Sequence, residues 1–131
     1  MSANPSTGAP GVLVVDDNQA ILPWLEVGLL GCGFQVWASL DPEEALRLFA
    51  EHRAGIGAVV LDVVMPGCCG PELLARLRMI APALPAVFIS GYLTVELPAG
   101  ANAPLLPKPF RLPDLVGLIR QEVSRRSATR A

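Results

Sequence analysis

The sequence predicts an α/β fold, a doubly wound sheet of five parallel strands with helices on both faces. Three observations carry that expectation. Short apolar runs alternate with helix-periodic stretches along the 131 residues, without an internal repeat or a long linker, as successive strand–helix units require. The run Ala58-Val59-Val60-Leu61 before Asp62 is apolar on both faces, the habit of a parallel strand covered above and below. Apolar residues make up 52% of the chain and charged ones 17%, which suits one domain with a substantial core.

In order, residues 1–10 are small and proline-rich and read as a loose tail. Gly11-Val12-Leu13-Val14-Val15 is the first strand and ends in Asp16-Asp17. Ile21, Leu25 and Leu29 then recur at helical spacing up to a glycine-marked stop at Gly31-Cys32-Gly33. Pro23 interrupts that helix, so it is expected to start late or to kink. Phe34 to Ala38 alternates as a second strand. Asp41-Pro42-Glu43-Glu44 supplies a cap, a proline at the first position and an acid three residues on, a strong helix start. Leu46 and Phe49 mark the buried face of that helix.

The strand ending at Asp62 follows and is stopped by Pro66-Gly67. Gly70-Pro71-Glu72 opens a third helix with Leu73, Leu77 and Ile80 on one side. Ala86-Val87-Phe88-Ile89 is a fourth strand, ending in Ser90-Gly91. Between there and Pro104 only one short helical turn, Leu93 to Leu97, is expected. Leu105-Leu106 is a fifth strand, cut by Pro107-Lys108-Pro109. The last helix starts near Pro113, buries Leu115, Ile119 and Val123, and gives way near Arg125-Arg126 to a polar tail over 125–131. The flavodoxin-like strand order 2-1-3-4-5 is the expectation for such a chain.

Composition narrows the partners. A net charge of −2 gives no reason to expect nucleic-acid binding. No apolar stretch approaches the ~20 residues of a membrane span, and the first residues do not resemble a secretion signal. Cys68 and Cys69 are adjacent, and with Cys32 they make three. That is neither a disulfide framework nor zinc spacing, and it fits a reducing cytosol.

The polar residues at the strand ends point to chemistry. Asp16 and Asp17 follow the first strand, Asp62 the third, Ser90 the fourth and Lys108 the fifth. In the order 2-1-3-4-5 those ends share one edge, where open α/β sheets bind ligands. Three carboxylates there repel by roughly 4 kcal/mol per pair at about 4 Å and an effective dielectric near 20. Lys108 offsets part of this, and a hard divalent cation such as Mg²⁺ suits the oxygen-only donor set. Carboxylate, cation, hydroxyl and amine together suit phosphoryl transfer to an aspartate.

Four segments, Val14-Val15-Asp16-Asp17-Asn18, Leu61-Asp62-Val63-Val64-Met65-Pro66 with Gly70, Ile89-Ser90-Gly91 and Leu106-Pro107-Lys108-Pro109-Phe110, resemble the response-regulator receiver domain of two-component signalling. The resemblance covers residues 11–124. It implies that Asp62 accepts a phosphoryl group from a histidine kinase or histidine phosphotransfer protein. It implies that Asp17 and Asp62 ligate Mg²⁺, Asp16 acts through water and the Val64 carbonyl completes the set. Ser90 and Lys108 would contact the phosphoryl group and relay its presence. It also makes Lys108-Pro109 the candidate cis bond. Such a domain is not an enzyme beyond its own phosphorylation and dephosphorylation. It is expected as a cytoplasmic monomer or weak dimer, with possible covalent neighbour domains in a hybrid kinase. The Ser-Gly-Tyr and Pro-Lys-Pro-Phe stretches are similar to receivers of such kinases.

The chain departs from the family at three places. Leu105 stands where an aromatic switch residue is usual. The stretch from Ser90 to Lys108 is short and carries Pro98 and Pro104, so its helix is expected to be reduced. Val64 and Tyr92 are bulky where acids or amides are common, and are expected to shield the aspartyl phosphate from water. The competing readings are a pseudo-receiver that binds partners without phosphorylation and an Asp-nucleophile phosphatase; the latter usually carries Asp-x-Asp after its first strand and a large cap. Elsewhere simpler roles are expected: His52 near a helix end, Trp24 and Trp37 packing while partly exposed, and Cys68 and Cys69 as small loop fillers.

Overall fold

The computed structural model describes residues 11–65, 67–91, 97 and 100–130, with side chains up to residue 126. Strands β1 (Gly11–Val15), β2 (Gln35–Ser39), β3 (Ile56–Asp62), β4 (Ala86–Ser90) and β5 (Leu105–Pro107) pair in parallel in the order β2-β1-β3-β4-β5. Helices α1 (Ile21–Gly31), α2 (Pro42–His52), α3 (Gly70–Ile80) and α4 (Leu112–Arg130) complete the described chain. The doubly wound fold expected from the sequence is therefore the one observed.

Alternation along the strands sorts the core into two layers. Leu13, Val15, Val59, Leu61 and Phe88 face Phe49 of α2 and Leu73 and Leu77 of α3. Val12, Val14, Val60, Val87 and Ile89 face Leu25 and Leu29 of α1 and Leu115 and Ile119 of α4. Residues of the three central strands β1, β3 and β4 are almost wholly excluded from water on both faces, as a sheet covered on both sides demands. Each large aliphatic side chain buried this way contributes roughly 1.5–3 kcal/mol.

Local chemistry explains the helix starts. Asp41 caps α2, its Oδ2 accepting the Glu44 N–H at 2.9 Å with Pro42 at the first position. Glu44 does not close the box onto the Asp41 N–H; that group donates to Ser39 Oγ at 3.0 Å, and Glu44 Oε1 lies 2.9 Å from the same hydroxyl. Pro23 is third in α1, which neither starts late nor waits for it. The N–H that proline lacks is the one next to the Leu22 N–H, which bonds the Asn18 carbonyl, so a single helical bond is lost at the start of the helix.

Several buried positions differ from the periodicity reading. In α1 the buried set is Leu22, Leu25 and Leu29, with Ile21 only half-buried. In α2, Ala45 joins Phe49 and Leu46 is half-buried. In α3, Leu74 is buried and Ile80, the last residue of the helix, is 39% exposed. Val123 is half-buried. The last helix does not give way near residue 125 but runs to Arg130. Its extension is tied down by Glu122, buried at 6% exposure, which pairs with Arg125 at 2.8 Å and Arg126 at 4.0 Å. Arg126 also donates to the Asn102 carbonyl at 2.9 Å, and Arg78 of α3 donates to the Leu84 and Ala101 carbonyls at 2.8 Å. The expected tail at residues 1–10 lies outside the described residues, as does the expected short turn Leu93 to Leu97 apart from Leu97 itself.

Candidate functional site

Strand register assembles the site. Val15 lies beside Leu61, so the residues that follow β1 and end β3, Asp16 and Asp62, come out side by side. Asp62 is level with Ile89, and Ser90 with Pro107, so Ser90 and Lys108 emerge at the same edge. The Lys108 N–H donates to the Ser90 carbonyl at 2.6 Å, fixing where the lysine leaves the sheet. The Lys108-Pro109 bond is cis, as the resemblance implied.

The side chains then meet. Asp16 is fully buried; its Oδ2 is 2.9 Å from Lys108 Nζ and its Oδ1 accepts the Asn18 N–H at 2.9 Å. Asp62, 6% exposed, has Oδ2 3.8 Å from the same ammonium. Asp17 is exposed, and carboxylate oxygens of Asp16, Asp17 and Asp62 lie within 4.8 Å of one another. At that spacing and an effective dielectric near 20, each ionised pair repels by about 3.5 kcal/mol. Burial pushes the Asp62 carboxyl up to about 7, and the charge of neighbouring Asp16 raises it further within that figure. Lys108 and a hydrogen bond with the Val64 backbone pull in the other direction. One ammonium against three carboxylates leaves an excess of negative charge, and an all-oxygen donor set of this kind could hold a hard divalent cation.

A cleft of about 720 Å³ opens over the cluster, lined by Asp17, Asn18, Asp62, Val64, Met65, Gly91 and Lys108. Ser90 is buried at 1% exposure beneath it, while Val64 is 46% exposed at the rim. Thus the structure brings together Asp16, Asp17, Asp62 and Lys108, sets Val64 at the mouth, and puts Ser90 on the adjoining strand end. Two residues quoted from the sequence had been given no part in the site. Asn18 caps α1, and Gly70 lets the loop after β3 return: its N–H donates to the Val63 carbonyl at 2.8 Å, and a Cβ there would run into the Asp62 carbonyl oxygen. A cap-type residue just before a helix and a glycine pressed against a proline were the available signals.

The profile of the response regulator receiver domain matches residues 12–120. The chain belongs to that family. It is 38% identical over 126 residues to the transcriptional regulatory protein PrrA of Mycobacterium tuberculosis, covering 92% of this chain and 53% of PrrA. It is 35% identical over 123 residues to the sensor kinase CckA of Brucella abortus, covering 91% of this chain and 13% of the kinase. Among solved structures it resembles the receiver domain of the hybrid histidine kinase CckA, with a TM-score of 0.73, 33% identity, and 86% and 97% of the two chains covered. The receiver domain here spans about half the length of PrrA.

Other sequence expectations find their places in the receiver fold. Leu105 pairs with Phe88 and packs on the α2–α3 layer, half-buried, with no ring at that position. His52 ends α2 and stacks on Trp37 with ring centroids 5.1 Å apart. Trp24, 48% exposed, lies 5.9 Å from Phe110. Cys68 is buried and Cys69 exposed, both as free thiols. Tyr92 lies outside the described residues. Among the described residues no helix is long and apolar enough to cross a membrane.

Proposed function

We propose that Asp62 is the phosphoacceptor of a two-component phosphorelay. It takes a phosphoryl group from a phosphohistidine of a histidine kinase or histidine phosphotransfer protein, and the added charge shifts the domain's conformation to control a partner. The observation that carries this reading is the meeting of three carboxylates from two strand ends within 4.8 Å of one another, two of them facing one half-buried lysine. An Asp62 oxygen forms the new O–P bond as the N–P bond of the donor breaks, and the electron pair returns to the imidazole, which takes up a proton from solvent.

Attack requires the ionised carboxylate. With its pKa pushed up to about 7, part of the Asp62 population is protonated at neutral pH. Lys108 favours the ionised form. In this reading Asp16, Asp17, Asp62 and the Val64 carbonyl would hold Mg²⁺. The cation supplies charge neutralisation to the transferring group. Lys108 and the Ser90 hydroxyl contact the phosphoryl oxygens, and their inward movement biases the surface around β5. About 1.4 kcal/mol of differential stabilisation moves that balance tenfold. Leu105 offers no ring to rotate, so the response at β5 is smaller than an aromatic residue would give. The similarity to the CckA receiver supports neighbour domains of a hybrid kinase as one setting, and we assign the exchange to the cytoplasm, in keeping with the free thiols.

The test is incubation with Mg²⁺ and acetyl phosphate or phosphoramidate, followed by intact mass. One phosphoryl adduct, absent in Asp62→Asn, is the expected result. Multiple turnover of donor would favour a phosphatase, and no adduct with any donor would leave a binding module that works without phosphorylation.

A further inference from the structure

Asn18 makes two sets of bonds that face in opposite directions. Its backbone N–H donates to Asp16 Oδ1 at 2.9 Å. Its side-chain Oδ1 accepts the N–H groups of Ala20 at 2.8 Å and Ile21 at 3.2 Å, and its carbonyl accepts that of Leu22 at 3.1 Å. These are the bonds of a helix cap; Ala20, which directly precedes α1, makes no side-chain cap bond. Residue 18 is therefore anchored to a fully buried carboxylate on one side and to a helix on the other. Asp17 sits between those anchors, exposed, yet with an oxygen within 4.8 Å of those of Asp16 and Asp62. Repulsion alone would drive an exposed aspartate away from two buried ones. Asn18 also lines the cleft.

We infer that Asn18 is a positioning residue whose side-chain cap holds Asp17 in the carboxylate cluster and thereby sets its affinity for a divalent cation. The inference rests on the reading of the cluster as a cation site. Asp16 is fastened by Lys108 and Asp62 by its place in β3, so Asp17 is the member with the least support of its own. Without the Asn18 side-chain bonds, the segment carrying Asp17 relaxes outward and the cation loses one carboxylate. Groups that orient metal ligands from outside are commonly worth 10–100-fold in affinity. The lower end applies here, because two of the three carboxylates stay in place.

The experiment is calorimetric titration of the whole chain with Mg²⁺ and Mn²⁺, at a temperature where circular dichroism shows each variant folded. Asn18→Ala is expected to bind about tenfold more weakly, and Asn18→Ser, which keeps an oxygen acceptor, to recover most of that loss. Asn18→Gly separates the two roles of the cap: glycine at a cap costs only a few tenths of a kcal/mol of helix stability but removes the side-chain acceptor. It is expected to bind as weakly as Asn18→Ala. In an Asp17→Asn background, Asn18→Ala is expected to have no further effect, which a general loss of stability would not reproduce. Wild-type affinity in both Asn18→Ala and Asn18→Gly overturns the inference, as does an equal loss with and without Asp17. A wild-type chain that binds neither ion overturns the cation-site reading itself, and the two failures are thus distinct.

Discussion

Replacing Asp62 with asparagine removes a carboxylate whose ionisation the fold opposes, and the consequence is a change in how stability depends on pH. Asp62 titrates near 3.8 in an unfolded chain and at about 7 in the folded one. Between those values the folded state holds a proton that the unfolded state has released, so stability falls as pH rises. At about 1.4 kcal/mol per pH unit, the full fall is about 4 kcal/mol, complete above pH 7. That figure already includes the attraction of Lys108, 3.8 Å away, which pulls the Asp62 carboxyl down. In metal-free buffer at pH 8, Asp62→Asn is therefore expected to be more stable than the wild type by about 2 kcal/mol or more. Near pH 4 the two should be alike. Urea denaturation across that range, with chelator present, reads the difference directly. Saturating Mg²⁺ should raise wild-type stability at pH 8 and leave Asp62→Asn nearly unmoved. Parallel pH profiles for the two proteins without metal would refute the reasoning, since they would mean that Asp62 ionises as freely in the fold as outside it.

Other perturbations test neighbouring parts of the site. Lys108→Met leaves the fully buried Asp16 without its ammonium partner at 2.9 Å, and should cost about 3 kcal/mol or more at pH 8 by chemical denaturation. Gly70→Ala drives a methyl group against the Asp62 carbonyl oxygen; a melting curve should show a loss of about 1–3 kcal/mol, accompanied by weaker cation binding. Val64, 46% exposed at the rim of the cleft, is expected to screen the proposed aspartyl phosphate from water. Val64→Asn, alone or with Tyr92→Glu, should shorten the dephosphorylation half-life severalfold, and an unchanged half-life would end that idea.

Much of this molecule was legible before any coordinates. The apolar runs before Asp16, Asp62 and Ser90 mark strands because only a strand buried on both faces tolerates such continuity. With five alternating units the strand order is nearly forced, and the order alone sends Asp16, Asp17, Asp62, Ser90 and Lys108 to one edge. The cap at Asp41 was equally readable, because it depends on residues close together in the chain.

The rest depended on what lies across space. Helix periodicity defines a stripe, but the exact phase follows from where the sheet sits, so Leu74 replaces Ile80 in the core and Leu22 outranks Ile21. The last helix continues past residue 124 where Glu122 and Arg126 meet the Asn102 carbonyl and Arg78, groups from two distant segments. Asn18 and Gly70 look ordinary as letters; only the packed loops make one a cap beside a buried carboxylate and the other a place where no Cβ fits. The identity of the charged groups was thus written in the chain, whereas their distances and the shifted titration of Asp62 were decided by the tertiary structure. Burial and charge proximity are properties of the folded volume, and no local stretch of sequence contains them.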